Sequence, residues 1–157
     1  MNKPRRTDYA DTEFRDMIRG VSNERERVYF SDVDFVEYVY ENNTRRYVCL
    51  LEAKRMYQIR EGKYRLVNSD RAIIGLARQL GIPFLFVFYE EEKLTDQDFV
   101  LLIWVKEEVE LLDLNGASLE GQAVQVRVCE LKEFLRCAGY NSFEDCWRKL
   151  KDMKRST

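Results

Sequence analysis

Glu52, Ala53 and Lys54 follow the apolar run Tyr47-Val48-Cys49-Leu50-Leu51. Side chains along a strand alternate between its faces, so Glu52 and Lys54 point the same way. Charges at the end of a buried strand are costly unless they are paired or engage a ligand. Asp34 stands in an earlier strand-like stretch, Val28 to Tyr40, and the turn-forming Glu41-Asn42-Asn43-Thr44 separates the two. A hairpin folded about Asn43 brings Asp34 opposite or nearly opposite Glu52. Two carboxylates and an ammonium then share one patch. A hard cation such as Mg²⁺ takes oxygen ligands, commonly one or two carboxylates with waters and substrate phosphate completing the shell. Asp34 and Glu52 supply the carboxylates, and the Ala53 carbonyl is placed to add a third oxygen. A cation held there acidifies a coordinated water and polarises a phosphoryl oxygen. Lys54 orients the attacking water or stabilises the pentavalent transition state.

An E-x-K triplet on its own is more often an ordinary salt bridge. Three features favour the metal site here: the triplet ends an apolar strand, an aspartate occupies the matching place on the preceding strand, and a helix and a buried strand follow in the order needed to cover the sheet. Asp32 lies two residues before Asp34 on the same strand face, so either aspartate can be the partner of Glu52, according to register. The chain has no histidine. That excludes a Ser-His-Asp triad, a Cys-His pair and histidine-ligated zinc. The cysteines, Cys49, Cys129, Cys137 and Cys146, lack the close spacing of a zinc knuckle. They read as reduced and structural, with Cys49 in the core.

These residues need a scaffold, and the pattern supplies one. Asp11-Thr12 starts a short helix over Glu13 to Arg19, with Phe14, Met17 and Ile18 as its apolar stripe and Gly20 as its stop. Two strands follow, Val28 to Tyr40 and Arg46 to Met56, then a turn at Glu61-Gly62-Lys63. Asn68 or Ser69 caps a helix over Asp70 to Leu80 whose apolar face is lined by Ile73, Ile74, Ala77 and Leu80 and which ends at Gly81. Phe84 to Tyr89 is apolar on both faces, as a central strand is, and a helix feeding it implies a parallel crossover. Further strands are expected at Phe99 to Val105, Val109 to Leu114 and Ala123 to Val128, with Asn115-Gly116 as a turn. A helix over Leu131 to Ala138 closed by Gly139 and a last helix from Ser142-Phe143-Glu144-Asp145 complete the chain. The order predicts one α/β domain over residues 1–157, a central mixed sheet flanked by helices.

Asp34 with two apolar residues after it, then Glu52-Ala53-Lys54 on the next strand, resembles the PD-(D/E)xK nuclease superfamily. Restriction endonucleases, RecB-type nucleases and archaeal Holliday-junction resolvases belong to it. The resemblance spans roughly residues 12–89 and leaves a C-terminal extension, about 98–157, outside the core motif. It implies a restriction-endonuclease-like α-β-β-β-α-β core, with the third β element falling within about Met56 to Val67. It implies Mg²⁺- or Mn²⁺-dependent cleavage of DNA, less often RNA. Asp34 and Glu52 become metal ligands and Lys54 the catalytic lysine. Glu13 stands where many members add a glutamate from the first helix, and is equally an ordinary first-turn acid favoured by the helix dipole. Gln79 or Arg78 stands where some members use a polar residue of the second helix.

A chain of 157 residues with 45% hydrophobic and 34% charged residues fits a folded globular protein. No apolar run is long enough to span a bilayer, and the basic, polar start is unlike a secretory signal, so a cytoplasmic protein is expected. A net charge of −2 gives no global nucleic-acid signature. Phosphate contacts must be local, and Lys63, Arg65, Arg71 and Arg78 are candidates. Basic residues also cluster at both ends, at Lys3, Arg5 and Arg6 and from Arg148 to Arg155. The partner expected is DNA, with a homodimer or a separate recognition subunit as further partners the reading allows. The alternative reading is a non-catalytic binding or assembly module on the same fold.

Overall fold

The computed structural model describes residues 33–115 and 121–155, together with Glu13 and Met17. The chain divides into two units, residues 1–32 and 33–157. In the first, Glu13 and Met17 are helical and exposed. Asp32, the alternative partner of Glu52, lies outside the described residues.

The second unit begins with a hairpin, β1 (Phe35–Glu41) and β2 (Thr44–Arg55). Its two-residue turn places Asn42 at φ 52° and Asn43 at φ 65°. A tight hairpin needs both central residues in the left-handed region, and asparagine tolerates it better than any other residue with a side chain. Pairing runs from Glu41 against Thr44 to Tyr38 against Tyr47, then shifts so that Glu37 faces Cys49 and Phe35 faces Leu51. The extra residue at that shift is Val48, a β-bulge.

After a 3₁₀ turn at Met56–Gln58 and a tight turn at Glu61-Gly62 comes the short strand β3 (Lys63–Arg65). Helix α1 (Asn68–Leu80) leads into β4 (Phe84–Tyr89), followed by β5 (Phe99–Val105), β6 (Leu111–Asp113) and β7 (Ala123–Arg127). Helices α2 (Val128–Tyr140) and α3 (Phe143–Arg155) close the described chain. The main sheet has the order β1-β2-β4-β5-β7. Only β2 and β4 are parallel, and α1 is their crossover, as expected; the other pairs are antiparallel.

β3 and β6 pair with each other in a separate two-stranded sheet. The third β element required by the nuclease resemblance therefore exists in the expected stretch but does not join the main sheet. The mixed α/β class stands, and the stretch from Asp98 onward extends the sheet through β5 and β7 and covers one face through α2 and α3.

Both faces of the central strands are buried, which is why β4 is apolar throughout. Cys49, Leu51, Leu85, Val100 and Leu102 face one core with Phe134, Ala138, Phe143 and Trp147 of α2 and α3. Leu50, Phe84, Phe86, Phe88 and Ile103 face the other, with Ile73, Ile74 and Ala77 of α1 and with Tyr64, Leu66 and Leu112.

Local corrections have local causes. Neither Asn68 nor Ser69 caps α1: the Asp70 carboxylate does so from inside the first turn, accepting from the Val67 N–H at 3.1 Å. Gly81 ends that helix in the left-handed conformation, as expected. Gly139 does not end α2 but lies within it, where an added Cβ would stand 3.3 Å from Val39 and 3.2 Å from Glu37. The glycine lets the helix approach β1, and its carbonyl accepts from Arg46 at 2.6 Å. Cys137 and Cys146 are not reduced: they form a disulfide joining α2 to α3. Cys49 is free and buried, as expected. Among the described residues no helix is long and apolar enough to cross a membrane.

Candidate active site

Alternation along β2 places Leu50, Glu52 and Lys54 on the sheet face covered by α1. Glu52 is 5% exposed, so its carboxyl is held in the protein rather than in water. Asp34 lies just before β1, and its backbone N–H donates to Glu52 Oε1 at 3.0 Å. In return, Asp34 Oδ2 accepts from the Ala53 N–H at 3.0 Å. Asp34 and Glu52 are thus locked opposite each other across the hairpin, the arrangement the sequence anticipates.

The Val48 bulge is what makes this pairing. Without it, the register set at the Asn42-Asn43 turn would place Asp34 against Leu51, and the carboxylates would not meet. One extra residue changes which side chain faces which partner.

Glu52 carries a pKa raised from 4.5 to about 7. Burial is the main cause; the Asp34 backbone N–H and the Lys54 ammonium act against it, while the Asp34 carboxylate adds to it. Lys54 Nζ sits 2.9 Å from Asp70 Oδ1. Asp70 is 1% exposed, yet its other oxygen also accepts, from the Tyr64 hydroxyl at 2.5 Å and the Val67 N–H. The Tyr64 pKa is raised, first by burial and then by the neighbouring Asp70 and Glu52. The site therefore runs Asp34, Glu52, Lys54, Asp70, Tyr64, drawn from the hairpin, β3 and the first turn of α1.

Asp70 and Tyr64 were not anticipated as site residues. The available signal was an aspartate in the first turn of the helix that follows the hairpin, which reads as a cap. Its second oxygen is committed to Lys54 only in the folded chain. Gln79 and Arg78 stand in the last turn of α1, at the far end from Asp70, and are exposed. Of the phosphate-contact candidates, Lys63 and Arg65 are exposed on β3, while Arg71 turns toward Glu110 at 3.6 Å and hydrogen-bonds Asn68. Glu13 belongs to the first unit.

Among the described residues no group of three or more Asp, Glu or Cys side chains gathers to hold a metal ion. The donor set on offer is a carboxylate pair. That suits a hard cation with a largely aqueous shell and does not suit zinc. A buried carboxyl whose ionised form is disfavoured, beside a second carboxylate, is stabilised as a charge by a cation between them. The pair fits Mg²⁺ or Mn²⁺ on that ground.

No family model, no curated protein and no solved structure matches the chain.

Proposed function

We propose that the second unit is a Mg²⁺- or Mn²⁺-dependent nuclease of restriction-endonuclease-like ancestry that hydrolyses phosphodiester bonds in DNA. The observation that carries this reading is the reciprocal lock of Asp34 and Glu52, with Lys54 next on the same face and held from behind by buried Asp70. Asp34 and Glu52 would hold the cation, and the Ala53 carbonyl could add an oxygen. A bound cation would supply Lewis acidity and a water of lowered pKa. Lys54 presents a fixed positive charge to phosphoryl oxygens as they gain charge in the transition state. Asp70 positions that ammonium, and Tyr64 and the Val67 N–H hold Asp70 in turn. Preorganisation is worth most where water is scarce, and the Glu52 and Asp70 carboxyls are buried while Asp34 stays open to solvent.

The test uses the full chain with single-stranded, duplex and branched DNA and Mg²⁺ or Mn²⁺. Glu52→Gln and Lys54→Ala, checked for folding by circular dichroism, are expected to lower cleavage by about 10²-fold or more, the usual scale for losing a charge-stabilising group. Cleavage that survives both substitutions belongs to a contaminant. A wild type that neither cleaves DNA nor binds Mn²⁺ by calorimetry is a binding or assembly module instead.

A further inference from the structure

The strand that begins just after Asp34 carries Tyr38 and Tyr40. Val36, Tyr38 and Tyr40 share a face by alternation, and register places Tyr47 opposite Tyr38 and Arg45 opposite Tyr40. These tyrosines are exposed: Tyr38 by 44%, Tyr40 by 64% and Tyr47 by 47%. Tyrosine with a core role in this fold looks different, since Tyr64 is 4% exposed.

The exposed rings are ordered. Tyr38 packs edge-on against Tyr40 at 5.7 Å and against Tyr47 at 6.3 Å between centroids. The Arg45 guanidinium lies 5.6 Å from the Tyr38 ring centre and 5.4 Å from that of Tyr40, and its Nε donates to the Tyr40 hydroxyl at 3.2 Å. Cation–π contact holds the charge at ring level, and only its Nε–H is engaged by a ring hydroxyl. Two acids of β1 sit elsewhere. Glu37 and Glu41 alternate onto the opposite face, where Glu37 accepts from Cys49 and Glu41 pairs with Arg46 at 3.1 Å.

We propose that this tyrosine–arginine platform binds single-stranded nucleic acid and leads it along β1 to the Asp34–Glu52 pair. Unpaired bases stack on aromatic faces without regard to sequence, and an arginine among the rings takes the backbone phosphates. Duplex DNA keeps its bases stacked on each other and offers these rings nothing. The track from Tyr40 along β1 to Asp34 just beyond its start spans six residues, roughly 20 Å at the rise of a strand. That length holds several nucleotides between the platform and the scissile bond. The inference rests on the phosphodiesterase reading for the direction of the track, and it names the substrate form: a single strand or a single-stranded flap.

The platform and the chemistry are separable by experiment. Fluorescence anisotropy of the full chain with a labelled oligodeoxythymidine of about twelve nucleotides, in EDTA, reads binding without hydrolysis. Tyr38→Ala, Tyr40→Ala and Arg45→Ala are each expected to weaken it by roughly 5- to 100-fold, the range found for loss of one stacking side chain. Tyr40→Phe, which keeps the ring, is expected to restore it. Equal affinity of wild type and the Tyr38→Ala/Tyr40→Ala/Arg45→Ala variant overturns the proposal, and so does preference for a duplex of the same length. Loss of self-association by sedimentation velocity in the triple variant, with oligonucleotide binding unchanged, overturns it in favour of a protein interface. Tyrosine-dependent binding with no metal-dependent cleavage leaves the platform standing and removes the nuclease. Cleavage indifferent to the tyrosines does the reverse.

Discussion

Glu52 is the residue whose environment makes the sharpest demand. Its carboxyl takes up a proton near neutrality because burial and Asp34 oppose its charge, whereas in the unfolded chain it ionises near 4.5. The folded pKa is raised, so the native state holds a proton that the unfolded state has lost between pH 4.5 and about 7. The contribution of Glu52 to stability is therefore full below that window and is lost as pH rises through about 7. A divalent cation reverses the sense, since it replaces the proton and favours the carboxylate. The expected result in thermal denaturation is that Mg²⁺ or Mn²⁺ raises Tm at pH 8 and has little effect at pH 5.5. Glu52→Gln should abolish the cation effect and flatten the Glu52 part of the pH dependence. A cation effect of equal size at both pH values would mean that the ion binds elsewhere. The Asp34–Glu52 pair was legible in the sequence because a period of two and a polar turn constrain both strands. Asp70 and Tyr64 were not, because their roles exist only where β3, α1 and β2 meet. No local pattern distinguishes a capping aspartate from one that also anchors a lysine.

At the level of elements, the hairpin turn and the bulge act together. The turn is centred between Asn42 and Asn43, and Val48 then shifts the register by one residue. A hairpin folded about Asn43 gives the same final pairing at Asp34, so the sequence pattern locates the pair without revealing the bulge. Bulges leave little trace in composition, whereas long apolar periodicities mark α1, β4 and β5 clearly. β3 and β6 are too short for their partnership to be read, and pairing between distant strands is a tertiary choice. Gly139 illustrates the same limit: glycine near a helix end reads as a stop, yet here it is a clearance beneath β1. The left-handed turn makes a testable demand. Asn43→Gly relieves the residual strain at φ 65° and is expected to stabilise the unit by a few tenths to about 1 kcal/mol. Asn43→Val, β-branched in a region that excludes it, should cost about 1–2 kcal/mol. Urea denaturation of both variants checks the order. A valine variant as stable as wild type would mean that the turn is not left-handed at that position. Because the turn also sets the register, the valine variant should weaken Mn²⁺ binding, though it lies far from Asp34 along the strand.

On the scale of the whole second unit, the sheet separates two kinds of work. The α1 face carries Glu52, Lys54, Asp70 and Tyr64, whereas the opposite face is closed by α2 and α3 around Phe134, Phe143 and Trp147. The disulfide between Cys137 and Cys146 belongs wholly to that second face and ties its two helices across a short connection. Cross-linking nine positions apart restricts the unfolded chain by about 2–3 kcal/mol in the loop-entropy account. For a unit of this size that corresponds to roughly 5–10 °C in Tm. Reduction should therefore lower Tm by that amount. It should leave the Asp34–Glu52 lock intact below the transition, because Glu52, Lys54, Asp70 and Tyr64 lie on the α1 face, opposite the disulfide. Differential scanning calorimetry with and without dithiothreitol measures the first, and Mn²⁺ titration of the reduced protein at low temperature measures the second. Cys137→Ser should match the reduced wild type. Loss of cation binding on reduction, without unfolding, would show that the helical face controls the hairpin register. The Arg46 contact to the Gly139 carbonyl is the physical link through which it would do so.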